Sequence, residues 1–154
     1  MKISPNLNLA EITRSDTAKR QGIDNTPTAA HLENFKLLAD KVFEPIRAHF
    51  GVPIFISSGY RSKALNDLIK GSSSSQHCKG EAIDIDMDGS SSGVTNKMVF
   101  DFIVANLEWD QCIHEFGTDS NPDWVHVSYT KGKNRKQKLK AVRTNGKTSY
   151  INLP

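Results

Sequence analysis

In Ala82–Met87 of EAIDIDM, small or acidic residues alternate with large apolar ones without a break. A period of two sends successive side chains to opposite faces, so this stretch is confined to a strand with Ala82, Asp84 and Asp86 on one side and Ile83, Ile85 and Met87 on a buried one. A strand buried on one face needs a neighbour patterned the same way. DWVHVSY supplies it: Val125 and Val127 share one face, His126 and Ser128 the other. Laid side by side, the two strands bring Asp84 and His126 together on a polar face whose reverse is core.

The rest of the chain supplies the layers. In TPTAAHLENFKLLADKVFEPIRAHFG, Leu32, Phe35, Leu38, Val42, Phe43, Ile46 and Phe50 recur at helical spacing, with Thr26 or Thr28 as the N-cap, a kink expected near Pro45 and a stop at Gly51. VPIFIS reads as a short buried strand, RSKALNDLIKG as a brief helix ended by Gly71, and VTNKMVFDFIVANL as a helix capped by Thr95. WDQCIHEFG is a further strand, and KQKLKAVR with TSYINL around Asn145-Gly146 forms a terminal hairpin. The expected class is α+β, with N-terminal helices packed on a small central antiparallel sheet that carries the site. At 154 residues, one domain spanning 1–154 is expected, with residues 130–154 as a basic hairpin belonging to it.

His77 precedes Asp84 in SQHCKGEAID, and Gly80 lets the intervening loop turn back toward the strand. Two imidazoles and one carboxylate form a three-ligand zinc set, His77, Asp84 and His126, that leaves a fourth position open for water, as catalytic rather than structural sites do. Asp123 lies three residues before His126. An odd offset along a strand sends it to the opposite face, but a bend ahead of the strand would return it to the metal as general base. Arg61, in the turn after the first strand, is a candidate donor to a substrate carboxylate or a developing oxyanion.

SGYRS, SQHCKGEAID and WVHVS resemble, in order and spacing, the zinc peptidases of bacterial cell walls, a family that includes D-alanyl-D-alanine carboxypeptidases and L-alanyl-D-glutamate endopeptidases. Its fold is similar to that of vancomycin-resistance dipeptidases and the hedgehog signalling domain. The resemblance runs from about Leu7 through Tyr129. It implies one zinc ion on His77, Asp84 and His126, the base at Asp123, the substrate or transition-state arginine at Arg61, and a substrate-contacting or supporting hydroxyl at Ser75. Several relatives carry glutamate where Asp123 stands. The implied substrate is the peptidoglycan stem peptide, a phage-associated wall-degrading enzyme fits a chain of this kind, and a monomer is the default expectation. The N-terminus shows none of the apolar run of a secretory leader, so synthesis in the cytoplasm and action after release, or as a virion component, are expected.

Other residues carry plainer readings. Tyr60, beside Arg61, is a candidate to stack on substrate. Cys78 and Cys112 are read as free thiols, because the chain has two cysteines and no CxxC spacing. His31 and His49 read as surface or helix-end residues, Glu115 as a satisfied sheet carboxylate or a support behind the ligands. DIDMDG lacks the remainder of a calcium loop.

Charge is distributed unevenly. The net charge is +3, yet the residues from Thr130 onward hold eight Lys or Arg and no Asp or Glu. A basic tail is suited to anionic cell-wall polymers. Nucleic acid is a weaker partner class, because the charge comes without an aromatic-plus-basic motif, and no run is long enough to span a membrane. A binding or virion-assembly module that keeps the fold without turnover is the alternative function.

Overall fold

The computed structural model describes residues 1–154. The polar N-terminal segment is more structured than its composition suggests. Strands β1 (Lys2–Ser4) and β2 (Leu7–Asn8) pair, and helices α1 (Leu9–Thr13) and α2 (Asp16–Gln21) follow. Buried Leu7 and Ile12 dock this segment on the core.

The expected long helix runs from Ala29 to Phe50 in three pieces: α3 (Ala29–Leu38), a π-helical turn (Ala39–Phe43) and α4 (Glu44–Phe50). Thr28, rather than Thr26, caps it by accepting the His31 amide at 3.2 Å. Pro45 has no N–H to donate one turn back, and the widened turn just ahead of it, where the Glu44 N–H bonds to Ala39 O, absorbs that loss without breaking the helix. Phe35, Leu38, Val42, Phe43 and Ile46 are buried as the stripe predicts, with Leu32 and Phe50 packed at its ends. Truncating a residue such as Phe35 to alanine is expected to cost about 3–5 kcal/mol.

Strand β3 (Ile56–Ser58) is shorter than VPIFIS, and α5 (Lys63–Leu68) is capped by Ser62. A single 3-10 turn (Gln76–Lys79) leads into β4 (Ala82–Ile85). Then come α6 (Asn96–Asn106), capped by Thr95, followed by β5 (Gln111–Glu115), β6 (Trp124–Ser128), β7 (Gln137–Thr144) and β8 (Lys147–Asn152). Asn145 and Gly146 both have positive φ, as a two-residue hairpin turn requires.

The sheet is larger than expected and mixed. Six strands stand in the order β3-β4-β6-β5-β7-β8, and β5 pairs with β7 in parallel. The reason is one of free edges: β6 is already flanked by β4 and β5, so the terminal hairpin adds to the outer edge of β5. The connection is held by Arg135, whose guanidinium makes two bonds to buried Asp110, at 3.0 and 2.7 Å. Lys136 pairs with Glu108 at 2.9 Å, and Lys140 pairs with Asp119. Three of the eight basic residues of the tail thus fasten it to the acidic body.

One face of the sheet, carrying Ile83, Ile85, Val125, Val127 and Cys112, packs on the helices. Residues of opposite parity form the floor of a cleft of about 780 Å³.

Candidate metal centre

Asp84 and His126 are direct partners in the β4–β6 register, so the alternation that buries Ile83, Ile85, Val125 and Val127 also sets these two side chains on the cleft floor. Asp84 Oδ1 lies 3.1 Å from His126 Nδ1 and 3.3 Å from His77 Nε2. Ligands held at about 2.0–2.1 Å on a tetrahedral ion stand about 3.3 Å apart, so this spacing matches a tetrahedral edge.

His77 reaches the group from the 3-10 turn. Ser75 Oγ accepts the His77 amide at 3.3 Å, and Gly80 ends the turn at φ +73. At Gly80 a Cβ would run into the carbonyl of His31, so the turn needs glycine for space as well as conformation. His77 Nδ1–H donates to Gly59 O at 2.7 Å, which leaves Nε2 as the free donor atom facing Asp84.

The donor set suits zinc on a further count. Burial by itself would raise the Asp84 carboxyl, but the charge of His77 and hydrogen bonds from both imidazoles outweigh it and hold the carboxyl well below the usual range. The ligand is therefore ionised, as coordination requires. His77, Asp84 and His126 form a site compatible with a single Zn²⁺.

Glu115 is the cleft carboxyl that the sequence reading undervalued. Ile113 on β5 lies opposite His126, and Glu115, two residues along on the same face, lies opposite Trp124. Its carboxyl lines the cleft, is 8% exposed, and is pushed up to about 7 by burial and then by the negative charge of Asp84, against the opposing pull of His126. A carboxyl poised near neutrality beside a metal set is suited to accept and return a proton. The available signal was parity in QCIHE, which puts Gln111, Ile113 and Glu115 on one face. What was missing was the register that brings that face beside His126.

Asp123 is not brought to the site. It is exposed, absent from the cleft lining, and held by its backbone, with its N–H donating to Glu115 O at 2.9 Å and its carbonyl accepting from Asn96 Nδ2 at 3.0 Å. The expected bend does not occur, and the odd offset from His126 sends the side chain away from the cleft.

Arg61 lines the cleft. Its Nη2 makes a long 3.5 Å contact with Ser75 Oγ, and its Nε is buried without a partner. Ser75 therefore orients both His77 and Arg61. Tyr60 turns inward: it is 6% exposed, packs edge-on against Phe35, and its hydroxyl meets His31 Nδ1 at 3.2 Å. It does not line the cleft. His114 faces the other side of the sheet, with Nε2 bonded to Thr118 O at 2.8 Å, and His49 stacks on Phe102. Cys78 and Cys112 are free, and neither joins the donor group.

No curated protein matches the chain. The family model for Peptidase M15 matches residues 5–128, a span that holds the three ligand candidates, Arg61 and Glu115. With that match over most of its length and a zinc-compatible triad at the floor of its cleft, the chain belongs to the Peptidase M15 family of zinc metallopeptidases.

Proposed function

We propose that the protein hydrolyses an amide bond of the peptidoglycan stem peptide, as a D-Ala-D-Ala carboxypeptidase or an L-Ala-D-Glu endopeptidase. The observation that carries this reading is the placement of Glu115, an acid–base carboxyl, on the same cleft floor as the donor triad. Zinc on His77, Asp84 and His126 would polarise the scissile carbonyl and acidify the attacking water.

The chain's own groups supply the remainder. Glu115, as carboxylate, takes a proton from the attacking water and returns it to the leaving amine. Arg61, which lines the cleft, would offer its guanidinium to a substrate carboxylate or to negative charge developing on the carbonyl oxygen. Ser75 holds Arg61 and His77 in register, and the Gly59 carbonyl fixes the tautomer of His77. Lys131, Lys133, Lys138 and Lys147, which form no ion pair within the protein, would draw it to anionic wall polymers; elution from purified walls by salt tests this.

Purified peptidoglycan treated with the zinc-loaded protein, beside its Glu115→Gln variant, tests the activity by mass spectrometry of new termini. New amino termini on D-glutamate identify the endopeptidase, and free D-alanine the carboxypeptidase. No release by the wild type at one bound zinc per chain overturns the reading in favour of a binding module.

A further inference from the structure

The cleft extends beyond the family's span. The Peptidase M15 match ends at Ser128, yet the terminal hairpin of β7 and β8 forms one wall of the cleft through Gln137, Leu139, Thr148, Tyr150 and Asn152. The register explains how. Trp124, Glu115, Ala141 and Tyr150 form one row across β6, β5, β7 and β8. The adjacent row runs from Asp84 through His126, Ile113 and Leu139 to Asn152. Tyr150 is therefore in line with Glu115, two strands away at about 10 Å between backbones, and the residue between them is a fully buried alanine. A methyl group there leaves the tyrosine ring room to lean over toward Glu115.

Three properties mark Tyr150 as more than an edge-strand aromatic. It is 57% exposed on the outermost strand, so the fold gains little from it. Its hydroxyl is raised by burial and by the charges of Glu115 and Asp84, which places the phenol within the field of the site and keeps it protonated as a donor. The two hairpin strands line the cleft with amide and hydroxyl groups and one leucine, whereas its charged groups, Arg61, Arg135 and Glu115 among them, stand on other elements. A neutral wall with donors suits peptide groups rather than carboxylates.

We propose that Tyr150 is a substrate-contacting residue, its phenol donating a hydrogen bond to a backbone carbonyl of the peptide laid across the metal triad. The hairpin is thus a subsite for the uncharged backbone of the substrate, lying outside the span that the family model matches. This inference rests on the peptidase reading of the same cleft.

The test compares zinc-loaded wild type with Tyr150→Phe on a synthetic stem peptide free of sugar and on the same peptide attached to glycan. Calorimetric binding of the free peptide to zinc-loaded Glu115→Gln, with and without Tyr150→Phe, accompanies it. The expected result is a roughly 3- to 10-fold loss in kcat/KM on both substrates, and a loss of binding affinity of the same order, the range for one hydrogen bond between uncharged groups. The melting temperature and zinc stoichiometry stay unchanged, because the hydroxyl touches neither core nor ligands. Unaltered kcat/KM and affinity overturn the proposal, as does a loss confined to the glycan-attached peptide, which would assign the contact to sugar. If the wild type cleaves nothing, the proposed activity fails, and the calorimetry still decides: weaker binding by the tyrosine variant upholds the contact, and equal or absent binding overturns it.

Discussion

Glu115 and His126 sit diagonally across the β5–β6 pair, because Ile113 takes the place opposite His126 and Glu115 follows two residues on. Both side chains line the same cleft, while Asp123, nearer to His126 in sequence, points to solvent. Glu115→Gln should therefore lower turnover by about 10²- to 10⁴-fold, the contribution of a positioned acid–base group, at unchanged zinc stoichiometry. Asp123→Asn should remain close to wild type. Steady-state hydrolysis of a stem peptide, read beside metal content, distinguishes the two positions.

The triad predicts a metal-dependent melting temperature. An ion that binds the folded form alone stabilises it by about 2.7 kcal/mol at a hundredfold excess over its dissociation constant. Chelation should lower the melting temperature of the wild type, and added zinc should restore it. Asp84→Ala should abolish the response, because it removes the carboxylate that both imidazoles face. Calorimetric melting with and without chelator measures this.

In the metal-free protein, the buried Glu115 carboxyl makes stability depend on pH. Its folded pKa, about 7, stands above the ordinary 4.5, so its protonated form favours the fold. That contribution is complete below about 4.5 and is lost as pH rises through about 7. Urea midpoints of metal-free wild type should fall over this window relative to Glu115→Gln, in which residue 115 no longer titrates. Parallel curves for the two proteins would contradict the assignment.

The hairpin depends on Asp110. Its carboxylate accepts from the Arg135 guanidinium, the Arg135 amide and Gln76 Nε2, and these bonds hold it below the usual carboxylate range. Asp110→Ala should cost about 1–3 kcal/mol and expose the 130–136 connection to protease. Arg135→Lys should recover only part of the loss at Arg135→Ala, since an ammonium cannot reproduce the paired guanidinium contacts. Denaturation midpoints and limited proteolysis read both effects.

The ligand set was legible in the sequence because alternation assigns faces without knowledge of tertiary structure. Ile83 and Ile85 bury one side of β4, so Asp84 has to point the other way, and the valines around His126 settle its face in the same manner. Glu115 and Tyr150 were not legible as site residues, since each gains its meaning from a register between strands distant in sequence. The parallel pairing of β5 with β7 was hidden for the same reason: periodicity marks a hairpin but not the edge it joins. At Asp123 the parity rule alone gave the orientation found, and the supposed bend led away from it. Pro45 marked a disturbance in the helix, but sequence alone did not show that a widened turn would absorb it.

Gly59, just past β3, has a reach beyond its own loop. Its carbonyl aims His77, and its Cα lies so close against the backbone of Ile12 that no larger residue fits. The aim of a metal ligand is thereby inherited from the first helix of the chain, which contributes no side chain to the cleft lining. A substitution that shifts the backbone at Ile12 is therefore expected to reach the metal site through Gly59 without touching a ligand.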